Sequence, residues 1–375
     1  MTNETINVPE LRFPEFEGEW DEKRLGESIN VQSGRDYKHL DDGDYPVYGT
    51  GGYMCSVSDY LYKKDAVGIG RKGTINKPYL LKGPFWTVDT LFYCIPKDNE
   101  DVKFILNLFR TINWKIFDES TGVPSLSKLT INRISKYFPK FEEQQKIGDF
   151  FSKLDCQIEL EEKKLALLEE QKKGYMQKIF SRELRFKDEN NNSYPEWKIK
   201  KLEEISEFQN GKAHENFVSD TGKFILVNSK FISTESKVKK YVDKQLTPLG
   251  INDIAIVMSD VPNGKALAKC YLIENDNTFT LNQRIGRIFN IEGNSRFLFT
   301  QINRNKQLLK YDSGVGQTNL KKSEIIGIKI YWPNKREQDK IGDFFINLDS
   351  IIEKQSTKVE LLKQRKKGLL QKMFI

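Results

Sequence analysis

Residues 146–151 read KIGDFF, and residues 340–345 read KIGDFF again. Six identical letters at two distant places mark an internal repeat, and a repeat must be settled before any local element is assigned. Extending the match without a gap aligns 141–180 with 335–374 and gives 21 identities in 40 positions. Each copy reads as one long helix. In the first, Ile147, Phe151, Leu154, Ile158, Leu165, Leu168, Tyr175 and Ile179 advance by steps of three and four. In the second, Ile341, Phe345, Leu348, Ile352, Val359, Leu362, Leu369 and Met373 do the same, so both carry a heptad seam. The seams break at the same two places, Glu161 and Lys172 in one copy and Gln355 and Lys366 in the other. Shared polar interruptions predict that the two helices pack on each other in one fixed register. Helices of this length would span ~60 Å.

The duplication extends past the helices. ELRF occurs at 10–13 and at 183–186; GEWDEKRLGE leads into VQSGR, and PEWKIKKLEE leads into FQNGK. Later, STGVPSLSK (120–128) resembles SGVGQTNLKK (313–322). Between these landmarks the halves diverge. The order also closes on itself: the first helix ends QKIF and runs on to ELRF, whereas the second ends QKMF and its ELRF stands at the start of the chain. The two ends are therefore expected close together. The expected fold class is α+β: two globular mixed α/β domains (1–140 and 182–334) separated by a pair of long antiparallel coiled-coil helices (141–181 and 335–375), pseudo-two-fold and circularly organised. Within the domains, FILV (224–227), IAIVM (254–258), GRIFNI (286–291) and GIKIYW (327–332) read as strands between Gly, Asn, Asp and Pro punctuation. Helices are expected over 102–117 and 295–309.

Composition narrows the function. The 375 residues carry 60 Lys+Arg against 53 Asp+Glu, a net +7, which mildly favours an anionic partner. Residues 10–140 are neutral, whereas 194–334 and 335–375 carry the excess. Nucleic-acid binding would thus depend on shaped local patches and not on a basic tail. No apolar run is long enough to cross a bilayer and no leader pattern opens the chain, so a cytoplasmic protein is expected. Cys55, Cys94, Cys156 and Cys270 stand singly, without disulfide or metal spacing, and only His39 and His214 offer imidazole. GIGRKG (68–73) matches a dinucleotide fingerprint in letters alone, because the extended TINKPYLL follows where a helix should open. A turn that exposes Arg71 and Lys72 is the better reading. No phosphate-binding GxxxxGK[ST] and no methyltransferase tetrapeptide are present, so no covalent chemistry, bound cofactor or metal is expected of this chain.

Polar and aromatic loops remain as the candidate binding sites. Lys and Arg bond guanine edges, Asn and Gln adenine edges, and glycine lets backbone approach a phosphate. The first domain offers Arg35, Tyr37, Lys38, Thr50, Tyr53, Arg71 and Lys72. The second offers Lys212, His214, Asn228, Ser229, Lys230, Asn263, Lys265, Gln283, Arg284, Gln317 and Asn319.

Variable domain, constant helix, variable domain, constant helix: this order resembles the specificity subunit of type I restriction–modification systems. The EQ-x-KIGDFF…LD opening of each helix, with Glu143-Gln144 and Glu337-Gln338, belongs to the resemblance. So do YPVYGTGGY, GRKGT and the VNSKF loop. The resemblance implies two target-recognition domains that read an asymmetric bipartite site on double-stranded DNA in the major groove. It implies helices that act as spacer and as dock for two modification (methyltransferase) subunits, which hold S-adenosylmethionine. Restriction subunits using ATP and Mg would complete the assembly, and no membrane is involved. Ile147, Phe151, Leu154, Ile158, Leu165, Leu168, Ile341, Phe345, Leu348, Ile352, Val359 and Leu362 would serve helix pairing and partner docking. A coiled-coil adaptor without DNA specificity is the alternative; it explains the helices but not the mirrored loops.

Overall fold

The computed structural model describes residues 7–261, 264–274, 278–312 and 314–375. The chain divides into two compact units, residues 1–165 with 355–375 and residues 166–354. The division cuts both long helices, Phe141–Phe180 and Lys335–Met373. Each unit therefore holds one globular domain with the start of one long helix and the end of the other.

The two domains share a topology that their sequences hide. In the first unit a four-stranded antiparallel sheet runs in the order Ile29–Ser33, Leu91–Pro96, Ala66–Gly70, Tyr79–Leu81. In the second the order is Glu207–Asn210, Ile285–Phe289, Ile254–Val257, Cys270–Leu272. Ala66–Gly70 and Ile254–Val257 are buried throughout, which explains unbroken apolar runs such as IAIV: a central strand covered on both faces has no side to leave polar. Beside each lies a three-stranded sheet with one parallel pair, Asp42–Gly49 with Trp86–Thr87 and Phe224–Val227 with Phe279–Leu281. A two-stranded pair closes each domain, Asp21–Arg24 with Ser135–Phe138 and Lys198–Lys201 with Lys329–Trp332.

The helix expected over 102–117 is α-helical at Val102–Thr111, then breaks into a 3-10 turn at Trp114–Phe117. There the Trp114 indole N–H donates to the Phe109 carbonyl at 2.8 Å, so the last turn is capped by a side chain. The stretch 295–309 splits into Ser295–Ile302 and Lys306–Leu309, because Arg304 adopts φ 57° and Asn305 caps a new turn.

Each domain is fastened to its long helices by the same joint. Arg12 of the first ELRF grips Glu143 through Nε (2.8 Å) and Nη2 (2.7 Å); Arg185 of the second grips Glu337 through Nε (3.2 Å) and Nη2 (2.9 Å). Planar two-pronged pairing of this kind fixes orientation as well as charge. The neighbouring glutamines bridge loop to helix: Gln144 accepts from the Asp101 N–H and donates to the Pro139 carbonyl, as Gln338 does with Asn294 and Pro333. Asp101 and Asn294 are in turn the N-caps of the domain helices. The glycine of KIGDFF lies under those caps. A Cβ on Gly148 would fall 2.5 Å from Asp101 Oδ1, and one on Gly342 would fall 2.8 Å from Asn294 Oδ1. Asp149 pairs with Lys103, and Asp343 with Arg296. The terminal Phe374 ring lies 5.4 Å from Phe104, 6.1 Å from Phe151 and 6.3 Å from Trp20. Phe180 repeats this at 6.2 Å from Phe297, 6.3 Å from Phe345 and 6.3 Å from Trp197.

Within the first unit the long helices run antiparallel. Asp155 pairs with Lys366, and Gln355 Nε2 donates to Glu161 at 2.7 Å. Within the second, Lys172 pairs with Asp349. All four polar interruptions of the seam thus find partners across the pair. Lys366–Asp155 and Lys172–Asp349 are one contact written twice in repeat-equivalent residues, and Glu161 meets its own equivalent, Gln355. Leu11 N–H donates to the Lys372 carbonyl at 2.8 Å, so the first ELRF does sit beside the end of the second helix.

Candidate nucleic-acid interface

In each unit three of the candidate loops meet at one end of the four-stranded sheet, held there by a segment that in the first unit is not among the candidate loops and in the second is the LNQR loop itself. In the first unit this hub is 87–90, TVDT. Arg35 N–H donates to the Thr87 carbonyl (2.8 Å), Val88 N–H to Tyr48 (3.0 Å) and Arg71 N–H to Thr90 (2.8 Å). Three loops, at 32–38, 48–53 and 70–74, are laced to it. In the second unit 281–285 does the same work: Lys212 N–H donates to Leu281 (3.2 Å), Asn282 N–H to Val227 (3.1 Å) and Met258 N–H to Arg284 (3.0 Å). The glycine of each QSGR and QNGK turn is required by this crossing. A Cβ on Gly34 would lie 2.0 Å from the Val88 carbonyl, and one on Gly211 would lie 2.0 Å from the Asn282 carbonyl.

This equivalence adds Asp89 and Thr90 to the first site as counterparts of Gln283 and Arg284. Their signal was the antiparallel pairing that follows the repeat, which diverged letters conceal. The side chains presented differ between units. Arg35, Lys38, Tyr53, Arg71 and Lys72 are exposed in the first, with Tyr37 and Thr50 half-buried. The Tyr48–Tyr53 hairpin is braced from behind by Tyr79, whose hydroxyl donates to the Gly49 carbonyl at 2.6 Å; burial pushes that phenol up. In the second unit Lys212, Lys230, Lys265, Gln283, Arg284, Gln317 and Asn319 are exposed. The turn reading of Arg71 and Lys72 holds: Gly68 and Gly70 lie in a strand, and Gly73 turns the chain with φ 86°.

Several expected site residues are occupied elsewhere. His214 is fully buried: Nδ1 contacts the Lys212 carbonyl at 2.7 Å, and Nε2 accepts from the Leu246 N–H at 3.3 Å. It braces the QNGK loop from inside and cannot face a ligand. The Asn228 side-chain oxygen caps the helix Ser229–Ser233 through Phe231 N–H (2.8 Å), leaving Ser229 half-buried in its first turn. Asn263 lies outside the described residues. On the long helices, Ile147, Phe151, Leu154, Ile158, Ile341, Phe345 and Val359 are buried, and Leu165, Leu168, Leu348, Ile352 and Leu362 are half-buried. The buried seven are closed inside the helix packing and its joints, so a partner cannot dock on them.

No described helix is long and apolar enough to cross a membrane. The family model for the type I restriction modification DNA specificity domain matches residues 17–170 and again 194–363. The specificity subunit of the type I restriction enzyme MjaVIII from Methanocaldococcus jannaschii is 28% identical over 272 residues, 67% of this chain. The match spans 64% of that relative, less than two thirds of its length. The crystal structure of a type I restriction–modification S subunit from M. genitalium superposes with a TM-score of 0.70 at 16% identity, covering 98% of this chain and 99% of that one. A structure from work on complex assembly and conformational transition of the type I R-M system superposes at 0.51 and 12% identity, covering 94% and 97%.

Proposed function

The chain belongs to the type I restriction modification DNA specificity domain family, and we propose that it is the non-catalytic recognition subunit of a DNA-modifying assembly, each unit reading one half of an asymmetric bipartite site. The observation that carries this reading is the repeated loop face. Two sheets with one topology hold corresponding loops on corresponding hubs, yet present different side chains, as two readers of different sequences require. Exposed Arg and Lys supply phosphate and guanine contacts; Asn and Gln suit adenine.

The methyltransferase partner, with its S-adenosylmethionine, binds the outer faces of the long helices. Leu167 and Leu361 are repeat equivalents, 55% and 58% exposed off the seam, and offer two like sites to two copies of one subunit. An ATP-dependent restriction subunit would join the same assembly.

Mapping methylated sites in a host that carries this chain with its methyltransferase partner tests the reading. The expected outcome is one asymmetric bipartite motif and steeply salt-dependent binding of duplex DNA. Salt-independent binding, or methylation by this chain alone, overturns it.

A further inference from the structure

The second unit carries a basic stretch that neither its joint nor its hub uses. Residues 223–244 hold six lysines against Glu235 and Asp243. Lys230, Lys237, Lys239 and Lys240 are exposed, and among the described residues none of the four enters an ion pair. Glu235, two residues before Lys237, is taken by Lys269 at 3.1 Å.

Place and fixation distinguish this run from an ordinary solvated surface. The Val227 carbonyl accepts from Asn282 N–H of the hub (3.1 Å), and Leu226 N–H donates to the Lys240 carbonyl (2.8 Å). KVKK (237–240) therefore enters the three-stranded sheet beside the hub, and Lys230 lies in the short helix that leaves it, Ser229–Ser233. Phe231 and Ile232 bury that helix. Ser236 N–H closes it on the Phe231 carbonyl (2.9 Å), and Lys237 N–H donates to Thr234 (3.1 Å). Glu235 and Ser236, at φ 53° and 63°, turn the chain back toward the sheet. A backbone fixed in this way loses little further freedom when its side chains are engaged.

The first unit has no such run at the corresponding place. Leu226 pairs in parallel with Thr280 as Val47 does with Trp86, each two residues before the carbonyl that crosses the glycine turn. Cys55, opposite Val47, thus stands where Lys240 stands, and the residues leading to it read GYMC (52–55), without charge. Four unpaired cations held beside a DNA-reading hub select an anion, and the anion that flanks every half-site is the duplex backbone.

We propose that Lys230, Lys237, Lys239 and Lys240 clamp backbone phosphates beside the half-site read by the second unit, a hold that the first unit lacks at the corresponding strand. The assignment rests on the DNA-reading function proposed above. It concerns affinity and not base choice, because phosphate contacts position a protein and carry no sequence.

The test uses the assembled complex of full-length chain and methyltransferase partner. Duplexes with and without the mapped site are titrated across a range of salt for the wild type, Lys230→Gln, Lys237→Gln, Lys239→Gln, Lys240→Gln and the corresponding arginine variants. Each glutamine variant is expected to lower the slope of log affinity against log salt by about 1 on both duplexes, and each arginine variant to keep it. Methylated sites mapped with each variant keep every position of the motif. Neutral methylphosphonate linkages weaken the wild type more beside one half-site than beside the other, and the quadruple glutamine variant no further there. Unchanged salt slopes, or a variant that relaxes a base position, overturn the clamp and leave the recognition function standing. The absence of any bipartite motif in the wild type removes both. Where a variant fails to assemble, the methylphosphonate scan of the wild type decides the matter, and an equal loss beside both half-sites overturns the clamp.

Discussion

The joint and the loop face of each unit behave oppositely under duplication. At the joints, Arg12–Glu143 and Arg185–Glu337, Gly148 and Gly342, Phe374 and Phe180 repeat residue for residue and contact for contact. At the loop faces the backbone scheme repeats while the side chains do not: Asp89 and Thr90 occupy the places of Gln283 and Arg284. A joint must satisfy buried charges and close backbone approaches, and few side chains can do so. A loop edge held by main-chain hydrogen bonds leaves its outward side chains free to change. The joints differ at the partner of the glutamate. Trp197 Nε1 donates to Glu337 at 2.8 Å, whereas its counterpart Trp20 lies edge-on to Phe104 and Phe374 and sends no indole hydrogen bond to Glu143.

Four substitutions can break or sharpen this contrast. The largest effect is expected at Glu337, which is fully buried and receives both Arg185 and Trp197. Glu337→Ala leaves a guanidinium without its acceptor and should cost about 3 kcal/mol, read as a lowered urea midpoint; a midpoint unchanged from wild type would show the joint to be dispensable. Gly148→Ala comes next, at about 2 kcal/mol, because the methyl meets Asp101 and Lys103 at under 3 Å. The opposite sign is expected for the helix glycine Gly368, where nothing lies within 4 Å of an added Cβ. Gly368→Ala should raise thermal stability by about 1 kcal/mol, and a loss would reveal a contact of that glycine beyond the chain itself.

The smallest effect concerns pH. The Gln355 amide, and then Lys358, hold the Glu161 carboxyl below its ordinary value. A carboxyl depressed in the folded state contributes stability above its unfolded pKa and loses it as pH falls through the folded one. Gln355→Glu sets two carboxylates at repeat-equivalent positions against each other. Its melting temperature should lie below wild type at neutral pH and approach it on acidification, as one carboxyl takes up a proton. Parallel melting curves across that range would mean that the two positions do not meet.

Long helices, their heptad seams and shared interruptions, the duplication and its circular order were legible in the letters, because periodicity and repeat are properties of the chain itself. The loops bearing Arg35, Arg71, Lys212 and Gln317 were legible as polar turns, but not the edge that collects them. Asp89 and Thr90 escaped notice because their role follows from antiparallel strand pairing, which joins residues far apart in the chain. His214 misled for the same reason, since a polar residue beside a glycine turn gives no sign that the Leu246 amide and the Thr280 hydroxyl, 3.0 Å from Nε2, will enclose it. Sequence by itself determined that there are two like units and where the repeated joints lie, since Arg, Glu, Gly and Phe have few substitutes there. Only tertiary structure decided which polar side chains face outward, because that depends on which backbone crosses behind each loop.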